Sequence, residues 1–187
     1  MNPIEELKQE HEAVKLTLAI LHRIRLTIET TGTIAEPAHL AQLIDFFSVF
    51  VDRCHHGKEE ELLFPALAAA GVSTQGGPIG VMLKEHQLGR EQVREMKLAL
   101  DRYRAGDSNA ARVLATHART YIELLGQHID KENEVLFVIA GRCLSSSQLN
   151  ELTKGFDRIE AERIGAGKHE AYHRLLERLQ EVYLETA

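Results

Sequence analysis

The stretch Cys54–Leu67, CHHGKEEELLFPAL, sets two adjacent histidines and three glutamates directly before an apolar run that closes around Pro65. Outward from it, apolar residues recur at helical spacing through almost the whole chain. No alternating run is long enough to read as a strand, so an all-α fold is expected. The first helix should run from about Ile4 to Thr30, with Leu7, His11, Val14, Leu18 and Leu21 on one face, and stop before TTGT. A second, starting beyond Pro37, carries the opening stretch to Gly71, and the glycines and proline of GVSTQGGPIG read as a loop. A third begins at Val81 with VMLKEHQ, and a fourth spans about Ser108 to Gly141. Four long amphipathic helices on short connections predict an up-down-up-down four-helix bundle over residues 1–144. Residues 145–187 read as a helical extension, broken at GAGKHE, that docks on the bundle or on a partner.

Composition narrows the function. The chain has 187 residues, enough for one domain with its own core. No apolar run could span a bilayer, and MNPIEELKQEH lacks the basic and apolar regions of a signal peptide, so a cytoplasmic protein with no membrane role is expected. Cys54 and Cys143 are too far apart in sequence to suggest a disulfide framework or a zinc ribbon. Lys and Arg total 22 against 28 Asp and Glu, and the basic residues are scattered, which argues against nucleic acid as a partner. The 10 histidines stand out, because imidazole is the commonest metal ligand.

An internal repeat sorts those histidines. LKQEHE precedes HHGKEEELLFPAL in the first half, and MLKEHQ precedes HIDKENEVLFVIA in the second. Superposing ELLF (Glu61–Phe64) on EVLF (Glu134–Phe137) sets His55 on His128, Glu59 on Glu132, and His56 on the apolar Ile129. At about 100° per residue, counted from Val51, His55 and Glu59 fall at about 40° and 80°, beside the stripe of Phe47, Cys54 and Leu62. His56 and Glu60, at about 140° and 180°, fall on the far side. In the fourth helix His128 and Glu132 share a face with Tyr121, Leu125, Val135 and Ile139.

The inward polar set is therefore His11, His55, Glu59, His86, His128 and Glu132. Taken singly, His11 or His86 reads as a satisfied core imidazole, and each HxxxE pair as a surface hydrogen bond. Taken together, they are too polar for an empty core, since each buried ion costs several kcal/mol and a domain is stable by only about 5–15 kcal/mol. Residues at i and i+4 share a helix face, so each pair offers a nitrogen and an oxygen to one centre, and facing pairs can bridge two cations. Mixed imidazole and carboxylate ligation suits iron, manganese or zinc, with iron preferred here. Glu10 and Glu85, one residue before His11 and His86, read either as acceptors from ligand imidazoles or as surface charges. Cys54 reads as an inert buried thiol, and His22 and His117 lie too far along their helices to ligate. His169 and His173 share a face and could serve a second metal site, but no third donor at helical spacing is obvious beyond Glu170 or the distant Glu160 and Glu162, so surface or dimer packing is preferred. Tyr172, Leu175, Leu176, Leu179, Val182 and Tyr183 form an apolar stripe.

The order His11, His55-xxx-Glu59, His86, His128-xxx-Glu132, with LLFP and LF after the two pairs, resembles the hemerythrin-like HHE cation-binding family over about residues 4 to 140. The resemblance implies a di-iron site in a four-helix bundle. The four histidines would be terminal ligands, Glu59 and Glu132 bridges alongside an oxo or hydroxo group, and one iron open to dioxygen, nitric oxide or peroxide, with His56, directly after His55, a reserve ligand. The sequence departs from oxygen-carrying hemerythrins at Arg90, where their third helix has the second histidine of HxxxH, and at the last pair, where they have HxxxxD. Fewer imidazoles imply a more open site, which favours sensing, scavenging or redox and iron-handling roles over oxygen transport. The expected function is binding or sensing of a small diatomic ligand or peroxide, by a binding protein more than a dedicated enzyme. The rivals are peroxide removal, iron delivery for repair, and a metal-stabilised scaffold holding zinc; zinc or manganese could replace iron, and a protein partner or homodimer could read out the site.

Overall fold

Asn2 opens the first helix, its side chain accepting the Ile4 N–H at 2.9 Å, with Pro3 in the first turn. That helix, α1 (Pro3–Thr31), ends where Gly32 takes the left-handed conformation at φ 74°. The structure is a computed structural model describing residues 2–165 and 167–185. Helix α2 (residues 37–69) is one continuous rod that is α-helical over Pro37–Phe46 and Phe64–Ala69 but π-helical over Phe47–His56 and Glu59–Leu63. Next come α3 (Pro78–Arg104) and α4 (residues 110–143), the latter widened into a π turn at Glu132–Leu136. The extension supplies α5 (Ser146–Arg163), opened by a Ser145–Gln148 capping box, and α6 (Lys168–Tyr183). The expected all-α bundle is what forms.

Two local expectations change. The third helix starts three residues early, inside GVSTQGGPIG, because Pro78 presets the helical φ at a position whose amide would be unpaired anyway. Gly77 and Gly80 let the preceding loop lie close, since a Cβ there would meet the Ser73 and Thr74 carbonyl oxygens at 2.8 and 2.7 Å. The π turns shift the helical phase as well: a wider turn rotates each residue by less than 100°. Val135, expected inward, is 49 % exposed, and Leu136 and Phe137 are buried in its place. Leu63 and Phe64 take the corresponding buried places in α2.

Helix α4 packs on α3 and α1, and α2 packs on α3 and α1, closing a four-helix ring. Helix α5 crosses α1 and the π-helical part of α2, while α6 runs against α1. The apolar interior falls into two clusters. One holds Val14, Leu21, Phe47, Met96, Leu114 and Leu125, the other Leu7, Leu63, Phe64, Met82, Leu136 and Phe137. The extension joins both, through Phe156 to the second and through Tyr172, Leu175, Leu176 and Leu179 to the first; Val182, expected in the same stripe, is exposed. Of the expected break at GAGKHE, Ala166 lies outside the described residues. Among the described residues no helix is long and apolar enough to cross a membrane.

Candidate metal centre

On every helix of the ring the polar residues fall between the two apolar clusters: His11 between Leu7 and Val14, His55 to Glu59 between Cys54 and Leu63, His86 between Met82 and Met96, Glu132 between Ile129 and Leu136. All six expected residues meet there and all are buried. His11 Nε2 and His55 Nε2 stand 3.1 Å apart, as do His86 Nε2 and His128 Nε2. The carboxylates lie between these pairs. Glu59 turns Oε1 toward His55 at 3.7 Å and Oε2 toward His86 at 3.5 Å. Glu132 turns Oε2 toward His11 at 3.2 Å and Oε1 toward His128 at 3.3 Å. The donors thus form two groups, His11–His55–Glu59–Glu132 and His56–His86–His128–Glu59, in which ligand atoms lie within 4.8 Å of one another. Glu132 Oε1 also reaches toward His86 at 3.9 Å.

His56 departs from its far-side placement and takes the position of the reserve ligand. Uniform 100° steps put it outside; the π-helical run Phe47–His56 turns it inward, where it is 4 % exposed and stacks on His86 with ring centroids 3.8 Å apart. Its repeat partner Ile129 has no ligand atom, so the two groups are unequal: two imidazoles in one, three in the other. The imidazole that is missing at position 90 is offset from the neighbouring helix. Glu60, also assigned to the far side, sits at the margin, where it accepts from His86 Nδ1 at 2.7 Å and from Arg90 at 2.8 Å.

Around the donors the repeat extends to partners that fix each ring. His55 Nδ1 donates to Glu10 at 2.8 Å, and Lys58 donates to the other oxygen of Glu10 at 2.6 Å. The second copy repeats this with His128 Nδ1 on Glu85 at 3.0 Å and Lys131 on the same carboxylate. Of the two readings of Glu10 and Glu85, the one as imidazole acceptors holds. His86 Nδ1 has Glu60, and His11 Nδ1 has the matching residue Asn133 at 3.0 Å. Phe137 stacks on His11 and Phe64 on His86. Lys58, Glu60 and Asn133 went unrecognised in the sequence, although aligning the two copies pairs Lys58 with Lys131 and Glu60 with Asn133. Hydrogen bonds on Nδ1 leave each Nε2 facing the centre, the arrangement that orients imidazole ligands.

The electrostatics call for cations. Both oxygens of Glu59, both of Glu132 and both ring nitrogens of His56 are buried without a hydrogen-bond partner. Burial and the facing Glu132 push the Glu59 carboxyl well above its ordinary range. Burial pushes Glu132 up too, but the charge of His128 and the nearby nitrogens of His11 and His86 outweigh it and hold that carboxyl well below. Two carboxylates so placed share a proton unless metal charge replaces it. Burial, then the neighbouring imidazoles, lower His56 well below its ordinary range and favour the neutral, ligating form. The donor set therefore fits one or two hard or borderline divalent or trivalent metal ions.

The remaining candidates take other roles. Cys54 is fully buried and burial pushes its thiol up to about 12. His22 bonds to Arg25 and His117 to Gln92. His169 Nδ1 bonds to Glu160 at 2.8 Å and its ring stacks on His173; among the described residues the pair joins no third donor in a cluster.

Fold and site together define a helical-bundle protein with a buried imidazole–carboxylate centre placed for metal. The chain belongs to the hemerythrin HHE cation binding domain family, whose profile matches residues 2–140. Among curated proteins it is 26 % identical over 161 residues to an uncharacterized protein of Mycobacterium tuberculosis, an alignment covering 86 % of this chain and 62 % of that one. It is 37 % identical over 86 residues to the iron-sulfur cluster repair protein YtfE of Dickeya chrysanthemi, and 35 % over 85 residues to that of Yersinia pseudotuberculosis. Each covers 44 % of this chain and 38 % of the relative. The chain therefore spans less than two thirds of the relatives it matches. No solved structure matches it significantly.

Proposed function

We propose that this chain is a cytoplasmic non-haem di-iron protein that binds or senses dioxygen or a related small ligand, nitric oxide or peroxide. The observation that carries the reading is the disposition of Glu59 and Glu132, each with one oxygen toward either imidazole group and no other partner for its charge. His11 and His55 would hold one iron, His86 and His128 the other with His56 as a third imidazole, and the two glutamates would bridge. Bound iron supplies redox and ligand-binding chemistry. The chain's own part is to orient the imidazoles through Glu10, Glu60, Glu85 and Asn133 and to keep bulk water out with Phe64 and Phe137. With two imidazoles against three, the His11–His55 position would leave its iron more room for an exogenous ligand.

A second reading, delivery of iron for repair, is favoured by the similarity to proteins named for iron-sulfur cluster repair. Metal analysis and an optical spectrum of protein purified under low oxygen, then exposed to air, separate these. A reversible oxo-bridge band supports ligand binding, and bleaching with loss of iron supports delivery. A colourless zinc protein would defeat both and leave a metal-stabilised scaffold. Manganese in place of iron would keep the site and change the ligand chemistry.

A further inference from the structure

The helical extension does not close flush on the bundle. A cavity of about 300 Å³ remains between α1, α2, α5 and α6, at the lower end of the roughly 300–1,000 Å³ of pockets that take small organic molecules. Phe46 and Phe50, stacked with ring centroids 4.8 Å apart, form its aromatic wall with Tyr172, which stands edge-on to Phe46 at 5.2 Å. Its acidic lining is Glu6, Glu10 and Glu160, and among the described residues no lysine or arginine lines it. Lys58, fully buried and outside the lining, donates to all three, at 2.6, 2.6 and 3.3 Å. One ammonium thus faces three carboxylates, and two negative charges remain in excess when the imidazoles are neutral. Lys168, 5.5 Å from the Tyr172 centroid, is balanced by Asp45 at 3.7 Å.

We propose that this cavity binds a small organic cation, an ammonium group carried on an apolar or aromatic body. A metal ion is the wrong occupant, because Lys58 Nζ already fills the point where the three carboxylates converge. An anion would meet the excess negative charge. What the lining leaves unmet is that charge beside aromatic faces, and an organic ammonium answers both. Its charge is attracted by the carboxylates and by the ring faces, and its body displaces water from the wall. Glu10 and Glu160 have both oxygens engaged, by His55 and Lys58 and by His169 and Lys58. Glu6 gives Lys58 only Oε1, so its other oxygen remains to accept from the ligand. The inference goes beyond the reading of the metal centre, with which the cavity shares only Glu10, the acceptor of His55 Nδ1.

Calorimetric titration of the full chain at pH 8 with phenethylammonium, and with its neutral counterpart phenethyl alcohol, tests it. The ammonium should bind about tenfold more tightly than the alcohol at low ionic strength, with the difference shrinking as salt is added. Glu6→Gln, which removes one of the two excess charges, should weaken the ammonium about tenfold and leave the alcohol unchanged. Ala13→Phe, which fills the cavity from α1, should abolish ammonium binding with circular dichroism unchanged. Equal affinity for the two probes, no binding of the ammonium, or unchanged ammonium binding in Glu6→Gln overturns the proposal, and so does ammonium binding retained by folded Ala13→Phe. If Ala13→Phe does not fold, the two probes on the parent chain and Glu6→Gln decide. The same result is expected with or without metal in the centre, so failure here leaves the di-iron reading standing, and protein that holds no iron leaves this one standing.

Discussion

Lys58 Nζ lies 2.6 Å from one oxygen of Glu10, while the other oxygen of the same carboxylate accepts from His55 Nδ1 at 2.8 Å. A fully buried ammonium thus stands two bonds' reach from the candidate ligand. Glu6 at 2.6 Å and Glu160 at 3.3 Å complete its shell, and Phe156 lies under it with the ring centroid 5.6 Å away. Burial would lower the Lys58 pKa, but these carboxylates outweigh it and raise it. Lys131, its counterpart in the repeat, makes the same bond to Glu85 with its side chain 40 % exposed. The difference is α5, which covers only the first copy.

Lys58→Met should therefore cost about 3–5 kcal/mol in urea unfolding, because it strands Glu10 as an uncompensated buried charge. Lys131→Met should cost less than about 1 kcal/mol. Adding Glu10→Gln to Lys58→Met should recover part of the loss. In the parent protein, burial raises Glu10 but the hydrogen bond and charge of His55, with Lys58, bring it below its ordinary 4.5. A depressed carboxylate stabilises fully above its unfolded value, and that contribution is lost as pH falls through the lower folded one. The Lys58→Met penalty should accordingly shrink in acid. Equal costs for the two lysine variants would contradict this account.

Replacing either bridging candidate should weaken the second metal more than the first, since anionic bridges offset the repulsion between two cations in a low-dielectric interior. Glu59→Gln or Glu132→Gln should yield folded, less heat-stable protein with about one metal per chain, its stability reduced by lost linkage to metal. Metal stoichiometry and circular dichroism check this, and two irons with an unchanged spectrum in either variant would remove that glutamate from the bridge.

His56→Ala should lower occupancy of the His86–His128 position, toward about one metal per chain under competition with a chelator, because the third imidazole of that group is lost. Ile129→Ala, the matching change in the other copy, should keep both metals and show only a packing cost of about 2–5 kcal/mol. Unaltered metal affinity in His56→Ala would return that residue to a purely structural role.

The two thiols should differ sharply. Cys143 is exposed, while Cys54 is buried with its thiol pushed up to about 12 and so holds almost no thiolate at pH 8. A disulfide reagent should titrate one thiol per native chain at once and the second only in denaturant. Rapid modification of both in the native protein would show that the core around α2 opens.

The helices, their order, the repeat and the inward set His11, His55, Glu59, His86, His128 and Glu132 were legible in the amino-acid sequence. Helical periodicity and i, i+4 spacing are local properties that a linear pattern carries. Legible too, though unread, was the pairing of Lys58 with Lys131. What depended on tertiary structure begins where the helices stop being uniform. The π turns at Phe47–His56, Glu59–Leu63 and Glu132–Leu136 change the rotation per residue, and nothing in the local pattern announces them. They carry His56 inside and Val135 outside. The partners of the imidazoles, Glu60 on His86 and Asn133 on His11, join different helices, and so does the burial of Lys58 under α5. Sequence alone determined which donors were available; packing between helices decided which of them meet, because a side chain's partners across a bundle depend on helix rotation and approach, which are set by every other contact at once.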